Sequence, residues 1–289
     1  MGKDIKIIEC PRDAMQGISS FIPTSEKVRY LNKLLAAGFD TLDFGSFVSP
    51  KAVPQMHDTA AVVSQLDMAN SNTKLLAIIA NLRGAEEAVK YSQIHYLGYP
   101  MSISETFQQK NTNSSIIQSL EVLAEISELC KKANKQLVVY ISMGFGNPYG
   151  DPYSHDIVAQ FAEILVSLDA SVISLADTLG LATAQEVGDL FAAVRKVSKR
   201  VEWGVHLHAA PHEAGAKVKA AIEAGCRRID GAILGYGGCP MADNELVGNI
   251  NTRTILEVVD ELGFNSGVDS LLFNEAEERA ATIFNLSST

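Results

Sequence analysis

Short runs of β-branched and large apolar residues recur along the chain, each followed by a longer stretch whose apolar positions repeat every three or four residues. The short runs fall at residues 5–9, 41–45, 74–79, 94–98, 136–142, 171–176, 202–208 and 228–233, which makes eight predicted strands. Between them lie helical patterns such as 25–37, with Val28, Leu31, Leu34 and Leu35 on one face, and 156–168, with Ile157, Val158, Phe161, Ile164 and Leu165. Gly38 and Gly225 stand where helix C-caps are expected. Regular alternation of strand and helix predicts an α/β protein with a parallel sheet, and eight repeats are the number that closes a (β/α)8 TIM barrel. A doubly wound open sheet is the competing arrangement. It is disfavoured because the first strand-to-helix turn, Cys10 to Gly17, lacks G-x-G-x-x-G, and no G-x-x-x-x-G-K-[ST] occurs anywhere. After the eighth strand, 247–262 reads as the last barrel helix and 268–285 as an additional helical segment. Residues 1–289 are therefore expected to form one barrel domain, with 264–289 a C-terminal helical extension of it.

Composition supports a large core and narrows the partners. The 289 residues are 47% hydrophobic and 20% charged, an ordinary globular balance. Against 34 Asp and Glu stand 24 Lys and Arg, and the resulting net charge of -10 opposes a nucleic-acid partner. It does not oppose an anionic small molecule, because a few cationic groups focused in a cleft outweigh distant surface charge. The cysteines (Cys10, Cys130, Cys226 and Cys239) are widely spaced, without C-x-x-C, and fit a reducing, cytoplasmic setting. No apolar stretch is long enough for a membrane span, and the first residues lack a signal pattern, so no membrane role is expected.

In such barrels chemistry gathers at the C-terminal ends of the strands. Val205-His206-Leu207-His208 ends the seventh run, and a period of two puts both imidazoles on one side, able to chelate one metal. In isolation such a pair is more often one rim histidine beside a surface one. Arg12-Asp13, Asp43 and Asp177 stand at other strand ends and Asn249 opens the last helix, and one Asp, two His and an amide oxygen suit a Mg²⁺- or Mn²⁺-type ion better than structural zinc. Taken singly, Arg12-Asp13 also reads as a loop salt bridge and Asp177-Thr178 as a capping turn. The Gly-rich loop 235–240 is either a simple turn or a flexible carrier of the Cys239 thiol. His57, His95, His155 and His212 are given no role, Cys10 reads as packing and Trp203 as strand core.

Several motifs appear in a set order: Pro11-Arg12-Asp13 with Gln16; Ser46-Phe47-Val48-Ser49-Pro50-Lys51 continuing to Val53-Pro54-Gln55-Met56; Ser104-Glu105; Lys110-Asn111-Thr112-Asn113; Asp177-Thr178-Leu179-Gly180; His206-x-His208; Gly237-Gly238-Cys239-Pro240; and Gly248-Asn249. Together they resemble the hydroxymethylglutaryl-CoA lyases, part of a metal-dependent barrel group that also contains isopropylmalate, homocitrate and citramalate synthases. The S-F-V-S-P-K and G-G-C-P runs favour the lyases over the synthases.

The resemblance implies retro-Claisen cleavage of 3-hydroxy-3-methylglutaryl-CoA to acetyl-CoA and acetoacetate, as in leucine degradation. It implies Asp13, His206, His208 and Asn249 as ligands of Mg²⁺ or Mn²⁺, and Arg12, Asp13, Asp43, Asp177, His206 and Cys239 as catalytic residues. Arg12, Gln16, Ser46 and Arg253 are the implied substrate contacts, the ligand is an acyl-CoA, and the protein is expected to be a homodimer. Some positions depart from the family pattern. Asp43 stands for a Glu, Arg253 for a Glu, Ala14 for a Gly, Ala209 for an Asp, and Gly17-Ile18-Ser19 for a more polar run. Arg253 is expected either to recruit a different carboxylate or to occupy the pocket. A lyase for a related 3-hydroxyacyl-CoA, a condensing synthase and a silent CoA-thioester-binding barrel are the competing functions, the last distinguished by metal occupancy.

Overall fold

A computed structural model describes residues 4–238 and 247–285. The eight strands are β1 (Lys6–Glu9), β2 (Thr41–Ser46), β3 (Lys74–Ile78), β4 (Ile94–Ser102), β5 (Gln136–Ser142), β6 (Val172–Asp177), β7 (Glu202–Leu207) and β8 (Arg228–Gly231). All pair in parallel, each with its sequence neighbours, and β1 pairs with β8 to close the barrel. The helices outside it are α1 (Pro11–Gln16), α2 (Thr24–Ala37), α3 (Thr59–Val63), α4 (Leu82–Ala88), α5 (Glu105–Thr112), α6 (Ile116–Lys132), α7 (His155–Ser167), α8 (Ala184–Val194), α9 (Pro211–Glu223), α10 (Thr252–Glu261) and α11 (Ser270–Asn285). The predicted α/β barrel is thus the observed architecture, and its strand set matches the eight apolar runs to within a few residues at each end.

Alternation within the strands divides the apolar residues into two sets. Leu75, Ala77, Leu97, Val139, Ile141, Ile173 and Leu175 join the main core with the helices. Leu76, Ile78, Tyr96, Val138, Tyr140 and Val172 form a separate cluster inside the barrel. That inner cluster comes from β3 to β6. The other side of the lumen is polar, with Asp43, His206, Arg228 and Asp230 among its buried or partly buried residues.

Two helices differ from expectation. In α7 the buried face is Val158, Phe161, Ala162 and Leu165, whereas Ile164 is exposed, one step around the helix from that stripe. The last barrel helix begins at Thr252 rather than 247. The Asn251 side chain accepts a hydrogen bond from the Arg253 amide and caps it, while Asn249 and Asn251 make isolated bridges to His208 and Ala232. The additional helix α11 packs along α2, with Phe273 edge-on to Phe39 and Phe284 to Tyr30, and its apolar face joins the main core.

Glu9, at the end of β1, is fully buried and ties the seam of the barrel. Its carboxylate accepts from the Ile233 amide at 2.8 Å and from the Thr252 hydroxyl at 2.5 Å. Burial pushes its pKa up to about 8, against the pull of those two donors. An unfolded glutamate releases its proton near 4.5, so between that value and about 8 the folded chain binds more protons than the unfolded one. Stability therefore falls as pH rises through this window. Denaturant titrations at several pH values are expected to show that slope in the wild type and a flatter one in Glu9→Gln, with the variant the more stable at pH 8.

Candidate active site

The mouth of the barrel is built from strand ends and the turns that follow them. Asp13 and Arg12 lie on α1, directly after β1, where Pro11 at the first helical position sets the entry of the turn. Asp43 and Ser46 both line the mouth although three positions separate them. A regular strand would place them on opposite faces, but the β2–β3 register shifts between Asp43 and Gly45, and that bulge returns Ser46 to the side of Asp43. His206 lies on β7, level with Asp230 of β8, and His208 follows two residues later.

Arg12 organises the acidic side. Its Nη2 donates to Asp43 at 2.6 Å and its Nε to the same carboxylate at 3.1 Å, while Nη1 donates to Asp13 at 2.8 Å and to Gln16 at 2.9 Å. Gln16 in turn donates to Asp13 at 2.7 Å. Burial pushes Asp43 up to about 6 against the attraction of Arg12, which leaves it ionised at neutral pH. Asp13 is held below the usual carboxylate range: burial acts to raise it, and the charge of Arg12, the two histidines and a hydrogen bond from Asn249 together outweigh burial.

The histidines carry the strongest geometric signal. His208 Nδ1 lies 2.9 Å from the Val247 carbonyl, which only accepts, so Nδ1 carries the proton. His206 Nδ1 lies 3.1 Å from Asp230 Oδ2. The two Nε2 atoms then face each other at 3.2 Å, and in neutral rings both present lone pairs. Such an arrangement calls for a shared proton or a cation. Burial and the neighbouring His206 push His208 down to about 4, whereas for His206 burial is outweighed by the hydrogen bond and charge of Asp230, which raise it. Asp13, His206 and His208 each offer a ligand atom within 4.8 Å of the others, so the donor set fits a divalent ion. Asn249 stands beside them, but its amide nitrogen donates to Asp13 at 2.6 Å and to the Tyr236 carbonyl at 2.9 Å. As an oxygen ligand it needs the opposite amide orientation.

Above this cluster opens a cavity of about 480 Å³. Arg12, Asp13, Gln16, Asp43, Ser46, His206 and His208 line its polar side, and Val48, Val53, Ile78, Pro100 and Phe107 its apolar side. The structure thus brings together seven of the residues singled out in the sequence. Cys239 lies outside the described residues.

Two expected site residues are placed elsewhere. Arg253 does not line the cavity: its guanidinium donates to Glu277 and Asn274 of α11 and lies 5.0 Å from the centre of the Phe273 ring. The structure does not bring it to the described cavity lining: the carboxylate of Glu277 pairs with its charge, and the pair joins α10 to α11. Asp177, expected at the catalytic centre, is not in the described cavity lining and is held in a buried network. It accepts from the amides of Leu181 and Ala182 and from Lys217 Nζ at 3.2 Å, and Lys217 also donates to the His208 carbonyl at 3.1 Å.

Asp230, Tyr140 and Lys217 were not singled out in the sequence. A charged residue two positions from another in the short run Arg228-Ile229-Asp230, and a lysine on the apolar face that Ala214, Val218 and Ala221 define in α9, were the available signals. Cys10, expected as packing, is buried, with its sulfur grouped with His206 and Asp230 inside the lumen.

Fold and site together define a (β/α)8 barrel with a candidate cation centre at its mouth. The HMGL-like family model matches residues 5–279, and the chain belongs to that family. Mouse mitochondrial hydroxymethylglutaryl-CoA lyase is 33% identical over 271 residues, which cover 92% of this chain and 82% of that protein. A Pseudomonas aeruginosa 3-hydroxy-3-isohexenylglutaryl-CoA/hydroxymethylglutaryl-CoA lyase is 32% identical over 287 residues, 99% of this chain and 95% of its own. Among solved structures, an HMG-CoA lyase from Acinetobacter baumannii in complex with coenzyme A and 3-methylmalate superposes with a TM-score of 0.91 at 28% identity, covering 98% of this chain and 92% of that one. No helix among the described residues is long and apolar enough to cross a membrane.

Breaking the Asp177–Lys217 pair separates a brace from a catalytic group. Lys217→Met leaves a buried carboxylate without its partner and is expected to cost about 3–5 kcal/mol in urea unfolding. Asp177→Asn is expected to lose stability as well; a variant of wild-type stability that had lost only turnover would assign Asp177 to the chemistry instead.

Proposed function

We propose that this protein is a divalent-metal-dependent lyase that cleaves 3-hydroxy-3-methylglutaryl-CoA to acetyl-CoA and acetoacetate. The observation that carries the reading is the pair of imidazole nitrogens 3.2 Å apart beside Asp13, at the floor of a cavity that also holds Arg12. Mg²⁺ or Mn²⁺ would be held by Asp13, His206 and His208, with Asn249 as the fourth protein ligand. When bound, such an ion orients the hydroxyl and carboxylate oxygens of the substrate and lowers the hydroxyl pKa.

The protein groups then divide the work. Asp13 takes the proton of the tertiary hydroxyl as the carbon–carbon bond breaks; His206 has no nitrogen free for it, because Nδ1–H is held by Asp230 and Nε2 would be a ligand of the ion. Negative charge develops on the thioester oxygen, where Arg12 provides a fixed donor. Four of the five guanidinium N–H groups are committed to Asp43, Asp13 and Gln16, so the group is locked in place while one N–H on Nη2 remains. Asp43 holds that orientation, and Gln16 and Ser46 border the acyl group. Cys239, by resemblance to the lyases, returns a proton to the enolate carbon.

The apolar side of the cavity favours a second reading within the same chemistry. Val48, Val53, Ile78, Pro100 and Phe107 offer an uncharged, largely apolar flank beside Asn111 and Thr112, so a 3-hydroxyglutaryl-CoA bearing a longer alkyl group at C3 is the related substrate to compare.

The test is acetoacetate release from 3-hydroxy-3-methylglutaryl-CoA by the purified protein. Release is expected with Mg²⁺ or Mn²⁺ and not with EDTA. Arg12→Met is expected to lower kcat by about 10²–10³-fold, the usual loss for one donor to a developing oxyanion. Absence of release by metal-loaded protein would refute the assignment. Light scattering on the same sample tests the homodimer that the resemblance implies.

A further inference from the structure

Below the mouth, the polar side of the lumen holds buried atoms that no protein group satisfies. Asp230 is 2% exposed; its Oδ2 meets His206 Nδ1, but its Oδ1 has no hydrogen-bond partner among the described residues. The same is true of the Ser174 hydroxyl and of both terminal nitrogens of Arg228. Arg228 is 1% exposed and its nearest carboxylates, Asp40 and Glu202, lie 3.7 and 4.0 Å away, beyond hydrogen-bond length. Its position is built rather than incidental. A Cβ on Gly204 of β7 would lie 3.2 Å from Arg228 Cγ and 3.3 Å from its Cδ, so the glycine clears the path for the arginine stem. Donors on β8 and acceptors on β6 and β8 are thus buried without a protein partner among the described residues.

We propose that Asp230 is a positioning residue for the cation centre, and that Arg228 is the counter-charge that makes a carboxylate tenable at that depth. The inference rests on the cation reading given above. His208 is oriented by a backbone carbonyl, a fixed acceptor that no side-chain substitution removes. Among the described residues His206 has no such backbone partner, and Asp230 is the group that holds it. A carboxylate accepts and does not donate, so it selects the ring tautomer with the proton on Nδ1 and leaves the Nε2 lone pair turned toward His208. Without it the ring can place its proton on either nitrogen and turn on its strand. The centre then loses a preorganised ligand while all of its ligand residues remain.

The experiment measures Mn²⁺ affinity from the paramagnetic resonance of the free ion, for wild type, Asp230→Asn, Asp230→Ala and the double variant Asp230→Ala/Arg228→Met. Asn keeps the shape and one acceptor, so its binding is expected to be weakened least. Ala is expected to weaken binding by about 10–100-fold, the range for loss of such a partner. The double variant removes the stranded arginine charge, and is expected to regain thermal stability relative to Asp230→Ala without regaining Mn²⁺ affinity. Nitrogen-15 histidine spectra are expected to show His206 as the Nδ1–H tautomer in wild type and as a mixture in Asp230→Ala. A folded alanine or double variant that binds Mn²⁺ about as tightly as wild type overturns the inference and leaves Asp230 a purely structural charge. Wild-type protein that binds no Mn²⁺ overturns the cation reading itself.

Discussion

Two imidazole nitrogens held 3.2 Å apart with their lone pairs toward each other form the constraint on which the rest of this barrel mouth depends. The arrangement is unfavourable for neutral rings alone, and it persists because each ring is fixed from behind, one by the Val247 carbonyl and one by Asp230. The surrounding charges follow from it. Asp13 stands within reach of both rings, Arg12 compensates Asp13 and Asp43, and Arg228 lies on β8 two positions before Asp230. The lumen is consequently divided, apolar from β3 to β6 and polar on the side of β7, β8, β1 and β2. A division of that kind suits an acyl group with a charged head and an apolar flank.

Most of the fold was legible because a parallel barrel repeats one unit, and each unit declares itself by a short apolar run and an amphipathic helix. Boundaries were less legible where a side chain or a bridge decides them. The stretch before α10 keeps an apolar pattern, yet Asn249 and Asn251 divert it into bridges with His208 and Ala232 before Asn251 caps the helix. In the site, residues carrying chemistry at strand ends were visible one by one, and the ordered motifs made them a set. Pairing between distant residues was not visible. Asp177 looks the same in sequence whether it faces substrate or Lys217, and only the position of α9 decides.

Arg253 makes the same point for charge. Judged against the lyase pattern, a Glu-to-Arg reversal near the end of the chain suggests an altered pocket. In three dimensions its side chain turns outward and Glu277 on α11 receives it. The reversal is absorbed by a neighbouring helix, so the composition of the mouth is unchanged by it. By contrast, Asp43 does sit at the mouth, and its two contacts with Arg12 show that the shorter acid still reaches its partner across the bulge of β2.

The seam between β1 and β8 has a bearing on how the molecule comes into being. Glu9 reaches partners 224 and 243 positions along the chain, and Asp13 meets Asn249 across 236. Contacts of such separation form late, since loop closure must be completed before they contribute. Nearly all of the polypeptide must be synthesised before the first strand finds the last, and until that moment Asp13 and the two histidines belong to different ends of an open sheet. The mouth is therefore a product of closure: a finished but unclosed chain carries Asp13, His206, His208 and Asn249 and yet has no site, because the two ends of the sheet have not met.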